Sequence, residues 1–461
     1  MRAEIKLAKL DDPLRIALIS DDIYPASGGI ARSIQTQVNE LVRLGHKVTL
    51  LAPRHYLEKP DNCETIVTPS TYISGMPVQT CTIKQSWRIA RRICRHHQFD
   101  IIHSHTDRGG LALAARIAKL QNIPHVHTFH ANLAGAHASQ PFMAVWGSLA
   151  YMLLISPVIS LIAKKRHDQP IRLAPKSPDA TGLLTRFDWR SMAIIASQVD
   201  GFTAPADFMI QRITECTGRI SIPSRAIPTG INPELSRAIS RVKRHRSDRA
   251  IRFLSICRLA PEKRIDTIIR AFIKADIPNS ELHIAGGGNQ LRRLRQLAKG
   301  HDNIIFRGHM SGINQVAEEL VNADVFVLAS YGFDTQAMTI GEAATAGLPI
   351  IYCDPRLTVG VNEDNSILTD GPEVEHFAAA MQQLAADPKK RQKMSQASIK
   401  LAPELKPDRM AEKYLDKGIV VGAICGATIG LTGGGILSQR AHASNDLGYL
   451  KMVCPSYDGE K

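Results

Sequence analysis

Short apolar runs and segments of helical periodicity alternate along the first half of the chain. Residues 15–20 form an apolar run of strand length, two glycines follow, and residues 30–44 carry apolar positions at helical spacing. Further strands are predicted at 47–52, 100–104, 125–129 and 201–204. Because helical segments separate these strands, the pattern indicates an α/β fold with a parallel sheet and crossover helices.

The alternation stops in a basic stretch and then restarts. Residues 233–249 are poor in structural signals, so we predict a linker there, with the cations Arg241, Lys243, Arg244 and Arg246. Beyond it, the pattern predicts strands at 252–257, 282–285, 304–307 and 325–329, separated by helices at 265–275, 290–298 and 314–321.

The two halves predict two doubly wound, Rossmann-like domains that face each other across a cleft. We predict an acceptor-side domain at 13–232 and a donor-binding domain at 250–417, with the linker at 233–249 and a separate tail at 418–461. A chain of 461 residues exceeds the size at which one hydrophobic core stops growing, which agrees with two domains. Open parallel sheets bind ligands at the carboxyl ends of their strands, so the cleft is the predicted site.

The net charge of +14 adds an expectation about partners. A basic surplus attracts phosphates, whether on nucleic acid, lipid headgroups or a nucleotide. Aromatic residues make up only 5% of the chain, whereas nucleic-acid readers interleave cations with exposed aromatics, so we expect lipid or nucleotide phosphate and no nucleic acid. The eight cysteines lack metal or redox spacing and no secretory leader precedes them, which favours free thiols in the cytoplasm.

Two cations follow the first predicted strand of the second half. Arg258 and Lys263 lie five residues apart, between that strand and the next helix. A diphosphate fits such a loop, because arginine offers a forked donor, lysine a point charge and the helix start free backbone amides. Two solvated cations on a surface loop are the alternative explanation.

Two carboxylates lie further along the same half. Asp334 and Glu342 are separated by seven residues. With Asp334 on a loop and Glu342 in the next helix, one carboxylate accepts from sugar hydroxyls and the other from ribose hydroxyls. The intervening amides, at the start of that helix, are predicted to bind the phosphates, and they belong to Ala337, Met338 and Thr339.

The acidic pair, the preceding cations and the glycine turn at 286–288 resemble the retaining GT-B glycosyltransferases of glycosyltransferase family 4. The resemblance covers roughly residues 14–415 and implies a GT-B fold and sugar transfer without a metal or cofactor, because the sugar nucleotide is a substrate. Asp334 departs from the usual glutamate by one methylene. The stretches 20–25 and 334–336 are similar to the branch that glycosylates diacylglycerol.

The resemblance also implies roles for individual residues. Arg258 and Lys263 stabilise the leaving diphosphate, Asp334 holds the sugar and Glu342 the ribose. His130, after a predicted strand, contacts the donor sugar and orients the reaction, with His105 as its supporting residue. The donor-binding glycines are Gly28 and Gly29 for the distal phosphate and Gly287 in the glycine turn. Alternatively, the histidines merely complete their strands.

Two segments of the first half suggest a membrane surface. Residues 142–163 are uncharged, yet a crossing would place neighbouring strands on opposite sides of the bilayer, which leaves an interfacial helix, a re-entrant hairpin bent near Pro157 or a buried core helix. Residues 84–98 have the composition of a basic helix that lies on anionic lipid. A solvated charged face is the alternative. The predicted membrane contacts of this helix are Trp87, Arg88, Arg91, Arg92 and Arg95.

The tail at 418–461 stands apart from the transferase pattern. Its stretch around Cys425 resembles the nucleophile-elbow region of the ThiJ/PfpI family, in which a cysteine of depressed pKa lies on a tight turn. Only a fragment of that family is present, and the charge-free segment 418–439 offers a lipid anchor as the alternative.

The sequence therefore predicts a cytoplasmic glycosyltransferase, peripherally bound to the inner face of the cell membrane. We expect it to move glucose from UDP-glucose to a lipid hydroxyl such as that of diacylglycerol. A GDP-mannose-dependent phosphatidylinositol mannosyltransferase is the alternative within the class. A thiol-dependent protein acting through Cys425 and a non-catalytic membrane-binding module are the alternatives outside it.

Overall fold

The computed structural model describes residues 13–22, 29–53, 63–72, 81–139, 141–163, 169–177, 180–218, 222–244, 250–310 and 312–409. Three of the features singled out above lie outside the described residues. They are Gly28, the cation Arg246 and the tail with Cys425.

The first half is built on a seven-stranded sheet in which every pairing is parallel. Its strand order is β3-β2-β1-β6-β7-β8-β9, and β4 and β5 form a separate antiparallel hairpin. The strands are β1 (Arg15–Ile19), β2 (Lys47–Pro53), β3 (Glu64–Thr68), β4 (Ser70–Tyr72), β5 (Cys81–Ile83), β6 (Ile101–Ser104), β7 (His125–Thr128), β8 (Gly201–Ala204) and β9 (Ser224–Ala226).

Helices connect these strands in the crossover arrangement that parallel pairing requires. The first helix buries Ala31, Ile34 and Val38, which are spaced to lie on one face. The helices are α1 (Gly29–Arg43), α2 (Trp87–His96), α3 (Gly109–Gln121), α4 (Leu133–Ser139), α5 (Pro141–Ala150), a π-helical turn (Tyr151–Ile155), α6 (Ser156–Ala163), α7 (Leu183–Ala196) and α8 (Asp207–Thr217).

The second half contains a six-stranded sheet that is also entirely parallel, with the order β12-β11-β10-β13-β14-β15. Its strands are β10 (Ile251–Ile256), β11 (Ser280–Ala285), β12 (Ile304–Gly308), β13 (Val325–Leu328), β14 (Ile350–Tyr352) and β15 (Ser366–Leu368). Its helices are α9 (Pro233–Arg241), a 3-10 turn (Pro261–Lys263), α10 (Ile265–Ala275), α11 (Leu291–Leu297), α12 (Ile313–Asn322), α13 (Met338–Thr345), α14 (Val374–Ala386), α15 (Pro388–Leu401) and a second 3-10 turn (Ala402–Leu405).

Both faces of the second sheet are covered, which explains why its strands read as continuous apolar runs. Successive side chains point to opposite faces, so Phe253 joins one hydrophobic cluster while its neighbour Leu254 joins the other. The same division separates Val325 from Phe326 on β13. The predicted pair of Rossmann-like sheets is confirmed.

The prediction of a linker without secondary structure is wrong for its first half. Pro233–Arg241 forms helix α9, which begins where the Asn232 side chain accepts a hydrogen bond of 2.8 Å from the Glu234 amide. Leu235 and Ala238 lie on one face of this helix and pack against Ala317 of α12. Short apolar spacing within a basic stretch is enough to build a helix once a partner helix covers it.

In each sheet the order of strands reverses beside the first strand, between β1 and β6 and between β10 and β13. Ligands bind outside the carboxyl ends of strands at such points. The loops after β10 and β13 contain Arg258, Lys263 and Asp334, and the loops after β6 and β7 contain His105 and His130. The topology therefore brings the predicted site residues of both halves to the cleft.

Candidate active site

The loop after β10 is held against the glycine turn of the second half. Gly286 has a φ of 140°, and a Cβ there would lie 1.9 Å from the Cys257 carbonyl oxygen, so only glycine fits. The Leu259 amide donates to the Gly287 oxygen over 2.9 Å. Gly287 itself lies beside His309. The glycine turn thus fixes the backbone from which Arg258 and Lys263 project.

Lys263 and Asp334 form an ion pair inside the cleft. The lysine Nζ lies 2.5 and 2.8 Å from the two carboxylate oxygens of Asp334, and the side chains are 16% and 11% exposed. The same Nζ lies 5.8 Å from the centre of the Phe333 ring. The structure therefore brings together the cation predicted for the diphosphate and the carboxylate predicted for the sugar.

Arg258 lies at the edge of this site. Its guanidinium donates to the carboxylate of Glu262, which is buried, and 62% of the arginine side chain is exposed. Glu262 was not predicted as a partner of Arg258, although its i, i+4 spacing from Arg258 is that of a helical ion pair. Of the two predicted diphosphate cations, only Lys263 is enclosed.

Helix α13 begins with an unusual backbone conformation. Ala337, at its N-cap, has φ 54° and ψ 69°, the left-handed region that costs a non-glycine residue about 1–2 kcal/mol. Such conformations cluster at functional sites. The helix starts at Met338 and continues through Thr339, so the predicted phosphate-binding amides do lie at a helix amino terminus.

Glu342 lies within α13 and faces the first half of the chain. Burial raises the pKa of this carboxyl, and the nearby Arg32 guanidinium opposes that rise. The Arg32 Nη1 lies 3.9 Å from the Glu342 Oε1. Gly29 starts the same helix as Arg32, and a Cβ on it would lie 3.8 Å from the Met338 sulfur. The starts of α1 and α13 therefore oppose each other across the cleft.

Two residues of the β13–α13 loop tie the halves together. The Thr335 hydroxyl donates to the His130 carbonyl over 3.3 Å. The side-chain amide of Gln336 donates to the backbone carbonyl of Thr229 and accepts from its backbone N–H, each over 2.7 Å. The Thr229 hydroxyl in turn lies 2.7 Å from that of Ser33 on α1. The β13–α13 loop is thus fixed to the first half both at His130 and at Thr229.

The halves also meet between two glycines, Gly135 and Gly332. A Cβ on Gly135 of α4 would lie 2.0 Å from the Gly332 carbonyl oxygen. The same carbonyl accepts from the Asn132 side-chain amide over 3.0 Å. The two edges of the cleft are therefore in direct contact, and the arrangement leaves no room for a larger residue at position 135.

Histidines line the side of the cleft that the first half forms. The His105 Nδ1 lies 3.1 Å from the His130 Nε2, which brings the predicted reacting histidine and its predicted support together. Burial lowers the pKa of His103 to about 3 and that of His130 to about 4, so both are neutral at physiological pH. The His105 Nε2 is buried without a hydrogen-bond partner among the described residues.

A second histidine, His127, contacts residues that were not predicted from the sequence. The His127 Nε2 lies 2.6 Å from the Asp107 Oδ1 and its Nδ1 lies 2.8 Å from the Ser104 hydroxyl. The Asp107 carboxylate also bonds to the Tyr151 hydroxyl, whose pKa burial raises well above its usual value. Because the Asp107 carboxylate accepts, the His127 Nε2 donates to it. Tyr151 lies in the apolar run, where nothing in the sequence signals a polar contact.

The predicted membrane contacts divide into two groups. Arg88, Arg91, Arg92 and Arg95 are exposed on α2 at helical spacing. Trp87 is instead partly buried, because it packs against the hydrophobic core and Arg116 covers its ring at 5.5 Å. The basic face is present as predicted, but its aromatic residue belongs to the core.

The apolar run forms a continuous helix from Pro141 to Ala163 that includes the π-helical turn. It passes through Pro157 in helical conformation, so the run is not a hairpin bent there. It is long and apolar enough to cross a membrane by length and composition, and 28% of its most apolar stretch is buried. This partial burial also excludes the buried core helix, which leaves a helix with one open face.

Two family descriptions match adjacent parts of the chain. "Glycosyltransferase Family 4" matches residues 27–235, and "Glycosyl transferases group 1" matches residues 236–401. The chain is 26% identical over 359 residues to the alpha-monoglucosyldiacylglycerol synthase of Streptococcus pneumoniae, covering 73% of this chain and 70% of that protein. It is 22% identical over 404 residues to a GDP-mannose-dependent alpha-(1-6)-phosphatidylinositol monomannoside mannosyltransferase of Mycolicibacterium smegmatis, covering 82% and 91%.

Solved structures share the architecture. HepE from Anabaena, in complex with UDP and glucose, matches with a TM-score of 0.59 at 13% identity, covering 87% of this chain and 98% of that one. The fold and the family matches together define a glycosyltransferase of the GT-B class. Within that class, the chain joins an amino-terminal family 4 domain to a carboxyl-terminal group 1 domain.

Proposed function

We propose that this glycosyltransferase moves a hexose, glucose from UDP-glucose, to a hydroxyl of a membrane lipid such as diacylglycerol, with retention at the anomeric carbon. The observation that carries the proposal is the enclosed Lys263–Asp334 pair, whose carboxylate lies on the loop leading into α13, the helix that carries Glu342. A cation, a helix amino terminus and two carboxylates match a diphosphate flanked by two sugars. The Streptococcus relative, named for diacylglycerol glycosylation, supports the acceptor class.

The donor half carries the charge that the reaction requires. As the bond between the anomeric carbon and the diphosphate oxygen breaks, negative charge grows on the diphosphate, and Lys263, Arg258 and the amides of Met338 and Thr339 stabilise it. Asp334 and Glu342 accept hydrogen bonds from the hexose and ribose hydroxyls. No protein metal or cofactor takes part.

The acceptor half positions the lipid hydroxyl. Its oxygen forms the new bond to the anomeric carbon, and its proton passes to the leaving diphosphate oxygen. Neutral imidazoles at His130 and His105 provide polar contacts without a competing charge. His130 lies at the junction with the donor loop, since its carbonyl accepts from Thr335.

The basic face of α2 provides attachment to the inner face of the cell membrane. Each cation near an anionic surface contributes about 1 kcal/mol, and salt screens the attraction. Replacing Arg88, Arg91, Arg92 and Arg95 with glutamine should release the protein from phosphatidylglycerol vesicles at low salt while sparing UDP binding. Equal co-sedimentation of the wild type and this variant would remove the electrostatic attachment.

The donor and acceptor are tested in one panel. Thermal shifts with UDP, GDP and their sugars identify the base, because a ligand at a hundred times its dissociation constant stabilises by about 2.7 kcal/mol. Transfer of labelled hexose to diacylglycerol or phosphatidylinositol in vesicles then identifies the lipid. The Mycolicibacterium relative makes mannosyl transfer to a phosphatidylinositol lipid the second candidate. Turnover of no sugar nucleotide would contradict both.

A further inference from the structure

The helix at residues 141–163, here called the apolar helix, buries polar side chains beside Ile159 and Ile162 and exposes five of its large apolar ones. Its polar residues Ser148, Tyr151 and Ser156 are buried. Its large apolar residues Phe142, Trp146, Leu153, Leu154 and Leu161 face outward and are 59–73% exposed. A surface helix of a water-soluble domain buries its apolar stripe and exposes its polar one.

The inward polar residues are held by specific partners. The Ser148 hydroxyl lies 2.9 Å from the His137 Nε2, which is 3.0 Å from the Asp188 carboxylate. The Tyr151 hydroxyl bonds to Asp107, next to the cleft histidines. These contacts fix the rotation of the apolar helix, so its outward face is determined by the fold and is not a loosely docked surface.

The π-helical turn enlarges the outward face. Residues 151–155 form a turn with i to i+5 hydrogen bonds, and the Ser156 amide is bonded to the Tyr151 carbonyl. Leu153 and Leu154 both lie on the exposed side of this turn. An exposed apolar face of this kind marks a site of contact with an apolar partner.

Positive charge borders the apolar helix and indicates which partner it meets. Helix α3 packs against both α6 and the arginine-bearing α2. Lys119 of α3 donates to the Ile162 carbonyl over 2.7 Å at the end of the apolar helix, where the sequence continues with Lys164, Lys165 and Arg166. A second copy of the chain would bring cations against cations. An anionic bilayer offers hydrocarbon to the leucines and phosphates to the cations.

We propose that the outward face of the apolar helix inserts into the hydrocarbon of an anionic bilayer and lies parallel to its surface. The insertion brings the lipid acceptor to the cleft, because Tyr151 on the opposite face of the same helix contacts Asp107 beside His127. This role rests on the lipid acceptor proposed above, and it adds a hydrophobic contact to the electrostatic attachment through α2.

The chain contains a natural probe for this insertion. Of its three tryptophans, Trp189 is fully buried and Trp87 lies partly buried beneath Arg116, whereas Trp146 is 59% exposed on the apolar helix. Without lipid, acrylamide should quench Trp146. With phosphatidylglycerol vesicles, the emission should shift to the blue, acrylamide quenching should be lost, and lipids brominated along the acyl chain should quench instead. Trp146→Phe should lack all three responses.

Substitutions separate insertion from electrostatic attraction. At high salt, where the arginines are screened, each of Leu153→Ser, Leu154→Ser and Leu161→Ser should weaken vesicle binding about tenfold. Leu368→Ser and Ile399→Ser are matched controls, since both residues are exposed on the donor half, and they should bind as the wild type does. A thermal shift with UDP verifies that each variant is folded.

Several results would overturn the inference. Trp146 protected from acrylamide before lipid is added would show that the tail or a second copy covers this face. Trp146 that stays accessible to acrylamide on vesicles would show adsorption without insertion. If lipid glycosylation persists in either case, the proposed function stands. Insertion without turnover of any sugar nucleotide would leave the membrane contact and remove the transferase proposal.

Discussion

The two sides of the cleft share a parallel sheet whose strand order reverses beside its first strand, but they have opposite chemistry. On the donor side, the loops after β10 and β13 present charged groups, with Lys263 bonded to both oxygens of Asp334. On the acceptor side, the ends of β6 and β7 present histidines whose pKa burial lowers to about 3 and about 4. The comparison shows that a parallel sheet fixes where a site lies, while the loop residues decide what it can bind.

The difference suits the two substrates proposed above. A diphosphate requires charge, and the ion pair keeps Lys263 and Asp334 satisfied until a donor replaces one partner with phosphate and the other with hydroxyls. A lipid hydroxyl is neutral, and buried neutral imidazoles can accept or donate a hydrogen bond to it without the cost of a buried charge.

Lys263→Ala tests the charged side most severely. It removes the enclosed cation and leaves the carboxylate of Asp334, which is only 11% exposed, without its partner. We therefore expect kcat/KM to fall by about 10²–10³. Arg258→Ala, at a largely exposed side chain, should lose less. Steady-state kinetics with UDP-glucose measures both, and equal losses would mean that the enclosed pair has no special role.

Gly135→Ala should disturb the contact between the two sides of the cleft. A Cβ would lie 2.0 Å from the Gly332 carbonyl oxygen, and overpacking of this kind costs about 2 kcal/mol. Because the cost falls on the contact between the halves, we expect turnover to fall about thirtyfold. UDP binding to the donor half should persist, although alanine favours helix α4 itself. Gly312→Ala, where a Cβ meets nothing within 4 Å, is the control. Wild-type turnover in Gly135→Ala would show that the reaction does not require the contact between Gly135 and Gly332.

Glu342→Gln addresses the carboxylate assigned to the ribose. Loss of a charged hydrogen bond should weaken UDP binding about tenfold. Because burial raises the pKa of Glu342, the wild type should also lose affinity as the pH falls and the carboxylate takes up a proton. Calorimetric titration of UDP across pH should show this decline in the wild type only. A decline of the same size in the variant would assign it to another group.

The smallest expected effect comes from the neutral histidines, and it concerns how the free energy of unfolding depends on pH. The pKa of His103 is about 3 in the folded protein and about 6.5 in an unfolded chain. Below pH 6.5 the unfolded state therefore binds protons that the folded state does not, and stability falls as the pH falls. Between pH 7 and 5.5, urea unfolding should show His103→Gln losing about 1 kcal/mol less stability than the wild type. Parallel losses would place His103 in a more solvated site.

Local patterns predicted the parts of the fold that depend on local signals. Helix α10 begins and ends at the predicted residues because its apolar positions follow one face. Helix α9 was missed because its short apolar face is meaningful only against α12. The hairpin of β4 and β5 was also missed, since three-residue strands carry almost no periodicity.

The site shows the same division. Lys263 was predicted from its spacing to Arg258 in the loop after β10, and Asp334 and Glu342 from their spacing between the loop after β13 and helix α13. The contacts of Gln336 with Thr229 and of Tyr151 with Asp107 join residues far apart in sequence, and only the packed halves bring them together. Arg32, which faces Glu342 from the other half, carried no sequence signal for the same reason.

The π-helical turn also sets a rotational phase. Each residue of an α-helix advances the direction of the side chains by about 100°. The π-helical turn is wider than an α-helical one and takes up about one extra residue. If residues 151–155 were instead regular α-helix, α6 would turn by roughly that angle relative to α5, and Leu161 would rotate out of line with Trp146. The length of this single turn keeps the outward residues of α5 and α6 aligned on one surface.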